Sequence, residues 1–202
     1  MTHLSATSLG GYLDALAAAT PAPGGGSAAG VAGAMGAALV EMVAGLSLAK
    51  SGAQGGEHSG LQQAALERAR SARAELLQLA DDDAVAYGAF MEALKLPKSS
   101  DDERTARTAA ISTAAQRAAE VPLATLRATA AVAEAARSIL DKSLLAAASD
   151  LEVAARFARA AGESAAENVE AHLPYIEDPQ TRAEIASQTN AALTALHRAT
   201  PQ

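Results

Sequence analysis

The chain has 202 residues, half of them hydrophobic, yet it holds only 3 Tyr and 2 Phe and neither Trp nor Cys. That length fits one domain, 1–202, and the missing cysteines remove disulfides, thiolate metal sites and thiol nucleophiles. A net charge of -7 with no basic stripe argues against a nucleic-acid partner, and no charged-then-apolar leader is seen, so the cytoplasm is the expected compartment.

Alanine supplies much of the apolar fraction, and the chain reads as helix after helix. Thr7 or Ser8 caps a first helix through Ala19, with Leu9, Tyr12, Leu13 and Leu16 on one face. Pro21 and Pro23 forbid helix in the stretch that follows. Ser27 then offers an N-cap oxygen to a second helix, expected to run to Ala49. A Gly-rich loop, 51–60, leads to a long helix from Leu61 to Leu94, which Pro97 stops. Ser100 followed by Asp101, Asp102 and Glu103 starts the next helix. Val121-Pro122 either kinks it or opens a new one through Leu140. Leu144 to His172 is a further helix closed by Pro174, and Asp178-Pro179 caps the last, to about Ala199. No strand-like alternation breaks the series. The fold class is an all-α, single-domain antiparallel helical bundle.

The second helix organises the rest. Gly26, Gly30, Gly33 and Ala37 recur at helical spacing among further alanines, and Glu41 is the only ionisable residue between Ser27 and Ala49. A helix apolar on every side belongs in the middle of a bundle. The competing reading, a membrane span with small-residue packing, is opposed by Glu41, by few bulky apolar residues and by no basic flank. A chain this poor in large side chains buries little area by itself, so a homodimer with this helix at its interface is expected.

Three groups carry candidate chemistry. Pro23, Gly24, Gly25, Gly26 and Ser27 let a backbone come close to a ligand and present free N–H donors at a helix start. Asp81-Asp82-Asp83 lie on one helix, where Asp83, Tyr87 and Met91 share a face and the other two carboxylates turn to solvent. Lys98 stands past the proline that ends this helix. Ser149-Asp150 and Asn168 form the third group. Asp150 and Asn168 share a helix face but sit roughly 27 Å apart at ~1.5 Å per residue, so they serve opposite ends of a long ligand or two sites of a dimer. His3, His58, His172 and His197 have no paired metal-ligand spacing, so no metal site is expected.

In this order, Thr20 to Ser27, Asp83 to Tyr87 with Lys95 to Lys98, Ser149-Asp150 and Asn168-Val169 resemble the cyclodeaminase/cyclohydrolase family of folate enzymes. The family includes stand-alone methenyltetrahydrofolate cyclohydrolases and the C-terminal domain of formimidoyltransferase-cyclodeaminase. The resemblance spans nearly the whole chain and implies an all-helical homodimer with a folate near the interface. Two positions depart from the family pattern: Leu144 and His172 stand where Asn is common. The implied substrate is a tetrahydrofolate derivative, with no cofactor beyond it and no membrane partner. Asp83 and Lys98 are the implied catalytic pair. Pro23 to Ser27, Tyr87, Ser149, Asp150 and Asn168 are the implied substrate contacts. Hydrolysis of methenyltetrahydrofolate is the leading expectation, since no formimidoyltransferase segment accompanies the sequence. Formimidoyltetrahydrofolate cyclodeamination, or a non-catalytic dimerisation module, is the alternative.

Overall fold

A computed structural model describes residues 7–52 and 55–200 of the chain. Among the described residues, six helices make up the fold: α1 (Leu9–Leu16), α2 (Gly25–Ser51), α3 (Ser59–Leu94), α4 (Asp101–Ile139), α5 (Ala148–His172) and α6 (Pro179–Ala199). Short 3₁₀ turns, Leu145–Ala147 and Leu173–Tyr175, precede and follow α5.

Side-chain caps account for three of the six helix starts. Ser8 caps α1, which stops at Leu16 rather than Ala19. At α4 the Ser100 hydroxyl accepts the Glu103 N–H at 3.2 Å while the Glu103 carboxylate accepts the Ser100 N–H at 3.1 Å, a full capping box. Asp178 caps α6, with Pro179 in the first helical position. Pro122 neither ends α4 nor starts a new helix. It sits inside one continuous 39-residue element, held by packing on α3, α5 and α6.

Helix α2 runs through the middle, antiparallel to both α3 and α5 and against α4. Its glycines mark the closest approaches. A Cβ on Gly30 would lie 2.9 Å from the Leu76 carbonyl oxygen, and one on Gly36 2.9 Å from the Ala154 carbonyl oxygen. At Gly33 it would meet the Thr129 methyl at 2.8 Å. Three neighbouring helices therefore press onto bare backbone. Around this contact lies a first core with Val40, Val43, Leu76, Leu126, Val132, Ile139 and Leu151. A second core, with Phe90, Ile111, Leu123, Val169, Leu173 and Ile176, sits beyond the start of α2 and holds the far ends of α3 and α5 together.

One face of α2 is not covered. Met35, Met42 and Leu46 are 48%, 42% and 49% exposed, and they fall on a single stripe with Val31 and Ala38. The expectation of a helix buried on every side holds on three sides only within one chain. Helix α2 is also the one helix among the described residues long and apolar enough to cross a membrane. Its carboxylate is nonetheless fully engaged. Glu41 accepts Arg70 Nε at 3.0 Å and Arg73 Nε at 2.9 Å, both from α3.

Burial alone pushes the Glu41 carboxyl up, but the hydrogen bonds from Arg73 and Arg70 outweigh it and hold the group below its ordinary value. A depressed folded value adds stability that is present above the unfolded carboxyl's range and is lost as pH falls through the folded one. Glu41→Gln is therefore expected to cost about 1 kcal/mol at pH 7, the exposure of both arginines trimming a larger charged-pair value. Urea unfolding should show this gap at pH 7 and its closure as pH falls through the lowered Glu41 value; equal midpoints at pH 7 would remove the pair from the account of stability.

Candidate active site

The first turn of α2 is built by residues far away in the chain. Gly24 occupies the N-cap position with no side chain to cap anything, so the N–H groups of Gly25, Gly26 and Ser27 need outside acceptors. Asp83, from α3, supplies one. Its carboxylate accepts the Ser27 N–H and lies directly against Gly26, where any Cβ would collide with it. Only glycine admits this contact. Ser27 itself does not cap the helix. It stands inside the first turn, 1% exposed, and its hydroxyl shares a 3.2 Å hydrogen bond with Tyr12 Oη of α1.

Buried Tyr12 and Ser27 and half-buried Asp83 thus form one chain of polar contacts. Burial raises the Asp83 carboxyl above the usual range, and the Ser27 N–H only partly offsets it. Burial likewise raises Tyr12, and the nearby Asp83 charge adds to this, so the phenol stays protonated and able to donate. Tyr12 was not legible as a site residue. Its one signal is that it is an isolated aromatic just before the Pro/Gly block.

On the other side of the α2 start stands Asn168 of α5. Its Nδ2 lies 3.9 Å from where a Gly25 Cβ would be and donates to the Ser164 carbonyl at 2.8 Å. Gly25 is exposed and has room for a side chain on its protein side, so the position that steric contact reserves for glycine is Gly26. Neither residue has positive φ; Gly52 and Gly55 do. Pro23 follows a cis Ala22–Pro23 peptide and leads into the Gly24 N-cap position.

Asp83 and Asn168 face the α2 start at the same level, and the pairing continues upward. The Tyr87 and His172 rings meet edge to face at 6.4 Å, Phe90 and His172 at 5.1 Å, and Phe90 and Tyr175 at 5.0 Å. Helices α3 and α5 therefore run parallel and in register past the point where α2 begins. The result is a gap with a floor of free N–H groups at the positive end of α2, one wall carrying Asp83 and Tyr87, and the other Asn168 and His172. An electron-rich oxygen finds donors at the floor, and a cation finds the Asp83 carboxylate.

The remaining sequence candidates lie elsewhere within one chain. Asp82 sits on the surface, bonded by Gln78 Nε2 at 2.9 Å with Arg117 at 3.9 Å. Lys98 is exposed beyond the end of α3, more than three turns from Asp83. Ser149 and Asp150 open α5 at the opposite end of the bundle, about 27 Å from Asn168. Among the described residues no three His, Asp or Glu side chains converge as a metal site.

Known proteins resemble this chain in sequence and fold. The family described as Formiminotransferase-cyclodeaminase matches residues 8–191. A methenyltetrahydrofolate cyclohydrolase from Methylorubrum extorquens is 41% identical over 167 residues, covering 83% of this chain and 79% of that protein. The formimidoyltransferase-cyclodeaminase of Gallus gallus is 33% identical over 176 residues, covering 87% of this chain but 32% of that longer protein. Among solved structures, a formiminotetrahydrofolate cyclodeaminase from Thermotoga maritima superposes with a TM-score of 0.78 at 28% identity, over 97% of this chain and 96% of that one.

The Ser27 amide is a direct reporter of Asp83. Its proton chemical shift should titrate at a pH above the ordinary carboxylate range in the parent. In Gly26→Ala the displaced carboxylate should leave it flat, while Gly88→Ala, which meets nothing within 4 Å, keeps the titration. A Ser27 titration at or below pH 4 would remove the buried-carboxylate account.

Proposed function

Because the chain belongs to the formiminotransferase-cyclodeaminase family, we propose that it hydrolyses methenyltetrahydrofolate to formyltetrahydrofolate. The observation that carries this reading is Asp83, half-buried against Gly26 beside the free N–H groups of α2. The substrate is an amidinium-like cation. Its bridging carbon accepts water while Asp83 takes a proton from that water. The carbinolamine then collapses: one C–N bond breaks, its electron pair stays on nitrogen, and a proton from Asp83 joins it. A formyl group remains on the other nitrogen, and one proton is released overall. A carboxyl raised by burial is a better base than a solvated one, and the cation restores its charged form on binding.

The Gly25 and Gly26 N–H groups suit the pterin oxygen, and Tyr87 and Asn168 flank the ring. Lys98, past the end of α3 and more than three turns from Asp83, matches the carboxylates of an extended glutamate tail better than it matches proton transfer at the reacting carbon. The folate is the substrate, and the reading calls for no further cofactor. Formimidoyltetrahydrofolate cyclodeamination is the second reading, favoured by the Thermotoga maritima neighbour. There the substrate's own amine closes the ring and ammonia leaves.

Loss of the near-ultraviolet band of methenyltetrahydrofolate against a buffer blank, with ammonia release from formimidoyltetrahydrofolate run beside it, tests the two. Asp83→Asn should lower turnover by ~10²-fold or more, the scale of a lost general base. Asp81→Asn and Asp82→Asn should stay within a few-fold of the parent. The acid limb of kcat/KM should lie above the ordinary carboxylate range, because burial raises Asp83 in the free protein. The limb of kcat should lie lower, since the bound cation stabilises the carboxylate. Full activity in Asp83→Asn would end the carboxylate mechanism.

The uncovered stripe of α2 supports a homodimer. A two-fold contact through Met35, Met42 and Leu46, with its axis across α2, sets two α2 helices antiparallel, with the start of one near the end of the other. Ser149 and Asp150 of the second copy then approach the Asp83 end of the first, which gives these distant residues a place near one ligand. Light scattering should find a dimer at micromolar concentration, and Met35→Lys with Met42→Lys should dissociate it. A folded monomeric parent would refute the pairing.

A further inference from the structure

Helix α6 runs out before the bundle does. Its Leu196 packs on Gly162 of α5, and the Thr200 carbonyl just past its end accepts Arg159 Nη1 at 3.1 Å. Helix α5 starts about three turns below that contact, so α4 and α5 continue there without a third neighbour. The side chains left facing one another are mostly small, and a cavity of about 340 Å³ opens over Ala136, Leu140, Leu151, Ala155 and Ala199. Three guanidinium groups line it, Arg137 from α4 with Arg156 and Arg159 from α5, and Glu152 is the one carboxylate among the lining residues. Arg159 is held in place, because Glu163 accepts its Nε at 3.0 Å and Thr200 its Nη1, while Nη2 has no partner among the described residues. Arg156 stands a loose 4.0 Å from Glu152, and the Arg137 guanidinium makes no ion pair or hydrogen bond among the described residues. Like charges gathered round an apolar floor repel one another unless an anion lies between them.

We propose that this cavity is a second binding site, for a small anion with an apolar body: a single ring bearing a carboxylate or a phosphate. The alanine and leucine floor takes the ring out of water, and the cavity falls in the lower range of small-molecule sites, about 300–1,000 Å³. The guanidinium groups supply paired N–H donors that match the oxygens of a carboxylate or phosphate two at a time. On a chain of net charge -7, an anion approaches only where positive charge is gathered, and this cavity gathers it. A neutral ring leaves the arginines unanswered, and a bare inorganic anion leaves the floor uncovered. The site is separate from the catalytic gap. Its α5 residues lie roughly 14–26 Å along that helix from Asn168, toward the opposite end of the bundle, so a ligand here does not displace a folate at Asp83. The inference therefore stands apart from the hydrolytic reading.

Backbone amide shifts of the full chain, followed through titrations with benzoate, phenyl phosphate, benzamide and inorganic phosphate, test the site. Benzoate or phenyl phosphate should saturate shifts at residues 136–140 and 151–159 with a Kd of about 1 mM or tighter, and the better of the two identifies the anionic group. Benzamide, which has the ring without the charge, and inorganic phosphate, which has the charge without the ring, should each bind at least tenfold more weakly. Arg137→Gln and Arg156→Gln should each weaken binding about tenfold while the melting temperature stays close to the parent's, since the empty cavity loses a repulsion. Ala155→Leu fills the cavity with every charge kept, and it should abolish binding. The proposal is overturned by a failure to saturate at about ten times that concentration, or by shifts centred on residues 25–27 instead. Parental affinity in Ala155→Leu or in the paired arginine variant overturns it too, as does benzamide or inorganic phosphate binding as tightly as the charged rings.

Discussion

Everything in this bundle depends on how closely α2 is approached by its neighbours. Where Gly30, Gly33 and Gly36 stand, other helices rest on backbone, so small alanine contacts sum to a packed core despite the scarcity of large side chains. Gly26 is the same device used for a different end. There the intruder is a carboxylate instead of a methyl or a carbonyl, and the close fit both buries Asp83 and aligns it with the Ser27 N–H. Packing and chemistry are consequences of one small-residue stripe.

The stripe also explains the shape of the site. Helix α2 stops short, while α3 and α5, held apart at the width of a slender helix, continue past its first turn. The space that α2 vacates is bounded by two walls in register and a floor of N–H groups. The second core, with Phe90, Val169, Leu173 and Ile176, fixes the upper ends of those walls. Rigid elements therefore carry every group that faces the gap, which suits a site relying on positioned donors and a single base.

How much of this was readable follows from the range of each interaction. Caps at Ser8, Ser100 and Asp178 are settled within four residues, and the sequence shows them directly. The inward phase of Asp83 was likewise readable from helix geometry. The capping role read for Ser27 was wrong, because the true acceptor for the α2 start comes from Asp83 on another helix, and local rules do not see a partner at that separation. Tyr12 was invisible for the same reason, since its importance lies in a hydroxyl brought to Ser27 by the fold. The partners of Glu41 had a signal that went unused. Arg70 and Arg73 are three apart on one face of α3, the spacing needed to grip one carboxylate from both sides. The uninterrupted course of α4 through Pro122 was undecidable locally, because packing on three helices offsets the lost backbone bond.

Asp83 is under opposed demands, and the arrangement around it reconciles them. A base must be raised enough to take a proton from water, yet ionised enough to meet a cation at neutral pH. Burial against Gly26 provides the first condition, and the Ser27 N–H with the positive end of α2 limits the rise and secures the second. The Tyr12 hydroxyl, bonded to Ser27 from the far side, holds that residue in place without adding a positive charge that would repel the substrate. A lysine or arginine beside Asp83 would stabilise the carboxylate more strongly but would weaken it as a base and oppose a cationic ligand. The Ser27 N–H on the carboxylate and the Tyr12 hydroxyl behind it are both neutral, and that fits the chemistry of a positively charged, water-accepting carbon.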